Sequence, residues 1–311
     1  MRVYRSNRME ELSKLLAGVL EQPCESGSAL EAVTRREKVV VHSQGMARWL
    51  EMELARYLKI SSNIEFPFPK STILESVDAV LTGEKDAWKR WQPNALLWAT
   101  LEALGGLLED EAFKPLSDYL SGRHGTTDPL STADGVLLAR EIADVFDRYV
   151  TYRPDLVLGW SGHAVPDDWQ GPLWRAVEAR MTSGHLAKKG ELLRQELRQG
   201  AVRPDKLPPR LCLFGISTMP PFFLDLFARI DQVCEVHLFV LCPSTTYWAH
   251  IRSKREIARE LRRAEREGKE TTIEALALEE GNPLLASFGR LGRDFQVVLE
   301  GGEVQSGYED L

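Results

Sequence analysis

Two near-continuous apolar runs, Arg210–Gly215 and Cys234–Leu241, read as strands covered on both faces of a sheet. Shorter runs rich in β-branched residues, Arg2–Tyr4 and Val39–His42, predict two more. Apolar positions at helical spacing follow the first three strands in chain order, over Met9–Leu20, Met46–Leu58 and Pro221–Ile230. Such β–α alternation implies right-handed crossovers and an α/β fold built on a mostly parallel sheet. From about Asp86 to Pro204 the strand signals vanish. Helical patterns rich in Trp and Leu replace them (Trp88–Leu108, Val136–Val150, Trp169–Met181, Gly190–Gln199), separated by turn clusters such as SGRHGTTDP. The pattern predicts an α/β core whose first half is residues 1–85, a helical subdomain over 86–204, and a second α/β half over 205–311. Arg252–Lys269 adds a charged helix, whose alternating signs read as a solvated face with i,i+4 pairs rather than a DNA-binding ridge. The tail GGEVQSGYEDL stops without a closing element, the expectation being a fragment of something longer.

Lys38 to Leu50, KVVVHSQGMARWL, is the most informative stretch. A buried strand there delivers His42, Ser43 and Gln44 to the carboxyl edge of the sheet, where α/β proteins place their ligands. Gly45 is expected to let the backbone turn closely. Met46, Trp49, Leu50, Leu54 and Leu58 then repeat at helical spacing toward the sheet, which leaves His42, Gln44 and Arg48 pointing away from the core. All three side chains can read hydrogen-bond patterns on nucleobases.

Composition narrows the classes. A chain of 311 residues, 43% of them apolar, has enough material for one large or two ordinary domains. No apolar run reaches the ~18–20 residues of a membrane span, and the start, MRVYRSNRMEE, lacks the apolar segment of a secretory signal. Cys24, Cys212, Cys234 and Cys242 show no metal-ligand spacing, and three of them lie in strand-like segments as buried thiols, which suits a reducing cytoplasm. A net charge of −7 argues against coating nucleic acid by charge alone, but leaves room for a basic channel or for base reading.

Catalytic signatures are missing. A nucleotide hydrolase needs a phosphate-cradling glycine loop, a Lys, and an acidic residue for magnesium. After the first strand stands VYRSNRMEEL, and after the third stand Gly215, Ile216 and Ser217. The sequence contains no GxGxxG behind a strand, no GxSxG and no HExxH; its six histidines (His42, His124, His163, His185, His237, His250) are scattered, and His237 reads as a core histidine. Asp144 and Asp147 share a helix face but lack a third ligand. The reading is therefore of no catalytic residue, no metal and no cofactor. In ADVFDRYVTYRPD, Asp144, Val145, Asp147, Arg148 and Arg153 form a polar cluster over a stripe of Ile142, Phe146 and Tyr149, with salt-bridged surface favoured over ligand binding. NIEFPFP is extended, because each Pro disfavours helix in its predecessor; Phe66 or Phe68 is either core or an exposed platform for a base. Trp169 and Trp174 read as packing.

Seven segments in order, RVYRSNRMEEL, VVVHSQGMARWLEMELA, NIEFPFP, FDRYVTYRPD, WQGPLW, LFGISTMPPFFL and GNPLLASFGRLGRDF, resemble the amino-terminal portion of the RecC family, the gamma subunits of exodeoxyribonuclease V. The resemblance covers essentially the whole chain. It implies a degenerate superfamily 1 helicase-like core with an inserted all-helical subdomain, in agreement with the missing phosphate loop. It also implies a cytoplasmic heterotrimer with RecB-like and RecD-like helicase/nuclease subunits, acting on single-stranded and forked DNA in double-strand-break repair, and sensing of a Chi-like hotspot on the 3′-ended strand. Carried over by motif, the DNA-binding positions are His42, Gln44, Arg48, Phe68, Leu74, Asp144, Val145, Asp147, Arg148, Arg153 and Lys189. The resemblance departs from the family pattern at His42, Gln44, Arg48 and Leu74. The strand path is then shared while the octamer differs, or no hotspot is read. The alternative is a scaffold that docks motor subunits without touching DNA itself.

Overall fold

The computed structural model describes residues 1–22, 36–81, 87–124, 129–162, 168–200, 207–244, 248–276, 278–301 and 307–310. They fall into two compact units, one made of Met1–Pro69 with Pro208–Leu311 and the other of Lys70–Leu207.

The first unit holds a parallel sheet in the order β3-β2-β4-β5-β1-β6, with β1 (Arg2–Ser6), β2 (Glu37–Val40), β3 (Ile64–Glu65), β4 (Arg210–Phe214), β5 (Glu235–Leu241) and β6 (Gly307–Asp310). The apolar runs make the centre, because β4 and the inner residues of β5 are buried throughout. Pairing sets Tyr4 beside Phe239, Phe239 beside Phe214, and Cys212 beside Val39. This face packs on Leu12 and Leu16 of α1 (Met9–Glu21) and on Leu50 and Leu54 of α2 (Gln44–Leu58). The alternate residues Val3, Val40, Leu213 and Leu238 are buried on the opposite face. Cys212, Cys234 and Cys242 are buried thiols; Cys24 lies outside the described residues.

Arg210 carries a charge into this core. Arg210 is buried at the start of β4, where its guanidinium donates to the carbonyls of Val19 (2.6 Å), Leu20 (2.9 Å) and Gln22 (2.8 Å) and to both Glu37 oxygens (2.8 and 2.9 Å). It satisfies the last carbonyls of α1 and ties them to β2.

In the second unit the described residues hold helices and no strand. They are α3 (Pro69–Leu81, beginning on the last residue of the first unit), α4 (Pro93–Gly105), α5 (Lys114–His124), α6 (Ala133–Tyr152), α7 (Pro154–Ser161), α8 (Gln170–Arg180) and α9 (Leu186–Arg198). The buried stripe of α6 comprises Ala139, Ile142, Ala143, Phe146 and Val150. Phe146 meets the edges of Trp160 and Trp174, at centroid distances of 6.2 and 5.3 Å. Trp174 is thus core, as read from the sequence, whereas Tyr149 is only half-buried, against Trp160.

Several local expectations change. Strand β2 ends at Val40, and α2 starts at Gln44, because the Ser43 hydroxyl accepts from Met46 N (3.1 Å) and caps the helix. Gly45 is therefore helical, and the glycine that the backbone requires is Gly215, at φ +64. Pro93 splits the expected helix over 88–108 into a 3₁₀ turn (Ala87–Trp91) and α4, since it lacks a donor and favours the first helical position. Helix α9 starts four residues before the expected Gly190, capped by His185, whose Nδ1 accepts from Lys188 N at 3.3 Å. The tail does close on something: Gly307–Asp310 pairs parallel with β1. Among the described residues, no helix is long and apolar enough to cross a membrane.

Candidate nucleic-acid interface

All six main strands are parallel, so their carboxyl ends lie on one edge of the first unit. His42, Gln44 and Arg48 sit there, and all three are exposed. His42 is held in place by a hydrogen bond between Nε2 and the Thr218 carbonyl (2.9 Å), beyond the end of β4. With Nε2–H donating, the neutral ring presents Nδ1 as an acceptor. The Ser43 cap fixes the first turn of α2, and Gln44 and Arg48 follow one helical turn apart on the same face. Phe68 joins them through the backbone, because Val41 N donates to Pro67 O (3.0 Å) and prolongs the β2–β3 pairing. Its ring is 41% exposed, whereas Phe66 packs against the core. One edge therefore carries an acceptor, an amide, a guanidinium and an aromatic surface, all on supports fixed by the sheet.

The second unit carries the other predicted residues. Asp144 and Arg148 are exposed on α6, Val145 and Asp147 half-buried, and Arg148 makes no ion pair with another described residue. Both Asp147 oxygens accept from Lys70 Nζ at 2.8 Å. Arg153 stands at the break between α6 and α7, with Nε 3.8 Å from Asp155. Leu74 and Lys189 differ from expectation because both are buried, and the Lys189 ammonium is bound by the buried Asp78 carboxylate. Desolvating an ammonium is tolerable only beside such a partner, so Lys189 is not available to a phosphate in this arrangement. Lys70, Leu74 and Asp78 lie at i, i+4 and i+8 on α3 and thus share a face. That face ties α3 to α6 through Asp147 and to α9 through Lys189.

Lys70 and Asp78 were missed with their helix. The signal was present, in Pro69 at the first position and Ile73, Leu74, Val77 and Val80 at helical spacing. The neighbouring NIEFPFP segment masked it as an extended stretch.

Chemistry beyond hydrogen bonding is sparse. No group of three metal-ligating side chains gathers among the described residues. His237 is buried beneath the sheet face against Tyr4, whose hydroxyl lies 3.2 Å from Nδ1, and burial pushes its pKa below the usual histidine value.

A family model described as "RecC, N-terminal domain" matches residues 1–310. The chain belongs to the RecC family. The RecBCD enzyme subunit RecC of Escherichia coli (strain K12) is 32% identical over 96% of this chain and 28% of its own length. The corresponding subunits of Haemophilus influenzae and Mycolicibacterium smegmatis are 28% and 29% identical, each over 96% of this chain. This RecC-type chain spans less than a third of those relatives, so the edge and helix described above lie in the part that matches their amino-terminal domain.

Proposed function

We propose that this chain is a non-catalytic, DNA-guiding and sequence-sensing portion of a RecBCD-type helicase/nuclease acting in double-strand-break repair. Its partners are RecB-like and RecD-like subunits in a cytoplasmic heterotrimer, and its ligand is the 3′-ended single strand of a forked DNA, scanned for a Chi-like hotspot. The observation that supports the reading is the exposed set at the sheet edge, His42, Gln44, Arg48 and Phe68. Arg48 suits the O6/N7 edge of guanine, Gln44 the N6/N7 edge of adenine, and Phe68 the face of any base. The turns after β1 and β4 carry Asn7 with Arg8, and Gly215 with Ile216, in place of phosphate- and magnesium-binding groups. That composition suits a superfamily 1-like core that no longer hydrolyses nucleotide. In the second unit, Asp144, Val145, Asp147, Arg148 and Arg153 form the surface offered to the strand. Leu74 and Lys189 support it from within.

One observation favours a scaffold as the second reading. Leu284 (67% exposed), Phe288 (86%) and Leu291 (64%) form an apolar strip outside the core of the first unit, suited to a motor subunit.

Titrating wild-type and Arg48→Ala chains with single-stranded oligonucleotides of different sequence separates the two. DNA guidance with base reading predicts that the variant narrows the affinity difference between guanine-containing and guanine-free strands, by about 1–3 kcal/mol per contacted base, more than it lowers mean affinity. Equal loss on every sequence contradicts base reading by Arg48. No binding of any oligonucleotide by either chain favours the scaffold.

A further inference from the structure

The charged helix α10 (Lys254–Arg266) of the first unit carries six cations and three carboxylates in KREIARELRRAER. Its inward side is fixed by the buried Ile257 and Ala264. At 100° per residue, Arg255, Arg259, Arg262 and Arg266 fall within about 60° of one another, directly opposite those two. All four are exposed, and none makes an ion pair with another described residue. Glu260 and Glu265 of the same helix form no ion pair with the row, and three other nearby carboxylates are engaged elsewhere. Glu256 is held by Arg293 (2.8 Å) and by the Ser253 capping box, Glu267 by Arg263 (2.9 Å) and Lys269 (2.6 Å), and Glu280 by Lys254 (3.3 Å). Arg293 is itself buried and bonded to the Ile251 carbonyl (2.7 Å), so it anchors the start of the helix and holds the ridge in a fixed orientation.

We infer that this outward arginine row is a second, sequence-independent site that grips the phosphate backbone of a nucleic acid. Four guanidiniums repeat at turn spacing along about 16 Å of helix. On a chain of net charge −7, four arginines in line that make no ion pair among the described residues leave their guanidinium forks open to an anion. A regularly repeating array of cations fits a regularly repeating array of anions, and guanidinium forks pair with phosphate oxygens. An irregular acidic protein surface lacks that repeat. The inference takes from the proposed function only the class of polymer. The ridge contains no base-reading amide and is separate in sequence from the edge residues.

The test measures binding of the 311-residue chain to oligonucleotides of two sequences, each single-stranded and as a duplex, over a salt series. In R255Q/R259Q/R262Q/R266Q the slope of log K against log salt should flatten by about 0.7 per lost contact for single strands or 0.9 for duplex, with equal loss across sequences. The form showing the larger flattening is the form that the ridge holds. The lysine counterpart, R255K/R259K/R262K/R266K, should keep most of the slope; since both variants preserve helix-forming side chains, circular dichroism of α-helix content checks that each is folded. An unchanged slope in the glutamine variant overturns the inference. So does equal flattening in the glutamine and lysine variants, or competition by polyglutamate at the same charge concentration as the oligonucleotide, which points to an acidic protein instead. An altered Arg48→Ala discrimination with an unaltered ridge slope sinks the ridge alone, and the converse sinks the edge reading alone.

Discussion

At the scale of single residues, two buried polar groups are fixed by their partners and set measurable stabilities. Arg210 donates to two α1 carbonyls, to the carbonyl of Gln22 just beyond the helix and to Glu37, and the sequence around it, RLCLF, reads as an ordinary strand start. Arg210→Ala strands a carboxylate and the helix carbonyls together, so urea unfolding should show a loss of about 3–5 kcal/mol. A loss below about 1 kcal/mol would mean that water replaces the guanidinium freely. His185, fully buried between Trp91 and Trp174, is a different case, since burial drives its pKa down to about 4, against a smaller opposing effect of Glu178. The unfolded chain takes up this proton near pH 6.5 and the folded chain only near 4. Stability is therefore complete above about 6.5 and falls as pH drops between the two values. From pH 7 to 5 the loss amounts to about 2 kcal/mol. His185→Asn keeps a capping oxygen and removes the titration, so its urea midpoint should change less over that interval; parallel pH profiles for both chains would contradict the assignment.

At the scale of elements, the start of α2 decides where the edge residues stand. Gly215 passes beneath it at φ +64, and a Cβ there would meet the methyl ends of Met9 and Met46 at 3.2 and 3.3 Å. Those thioether tips yield easily, so the conformation itself sets the cost of Gly215→Ala, about 1–2 kcal/mol, read as a lowered thermal midpoint. Gly45, which looks like the turn glycine in HSQGMA, would place a Cβ 3.8 Å from the Ser43 hydroxyl and meet nothing else within 4 Å. An unchanged midpoint for Gly215→Ala would show that the turn tolerates a left-handed alanine. The strands and the longer helices were legible because their signals are local, as continuous apolar runs or 3.6-residue repeats. Helix α3, the helices at Lys114–His124, Pro154–Ser161 and Arg290–Gly301, and the edge strands β3 and β6 were not. The first hides behind a proline-rich segment, and the strands are too short to show a repeat.

At the scale of the whole molecule, strand neighbours are far apart in sequence, while many helix contacts of the second unit join nearer segments, such as α6 with α7. Arg210 reaches Glu37 across 173 positions, and Tyr4 reaches His237 across 233. Loop closure over such distances is slow, and helical contacts form early. Pulse-labelled hydrogen exchange during refolding should therefore protect amides of α6 before those of β4; simultaneous protection would contradict an order set by contact distance. The site divides in the same way. The residue types at 42, 44 and 48 pointed to base recognition because hydrogen-bonding side chains stood beyond a strand end. Their common edge with Phe68 depends on a long-range pairing. Alternation of apolar runs and helical repeats, both properties of neighbours in the chain, determined by itself that this is an α/β protein with a helical stretch between its halves. Only the tertiary structure decided that Lys189 is sealed against Asp78 while Arg255, Arg259, Arg262 and Arg266 form no ion pair among the described residues. Whether a charge meets a partner or solvent depends on segments that the sequence keeps far apart.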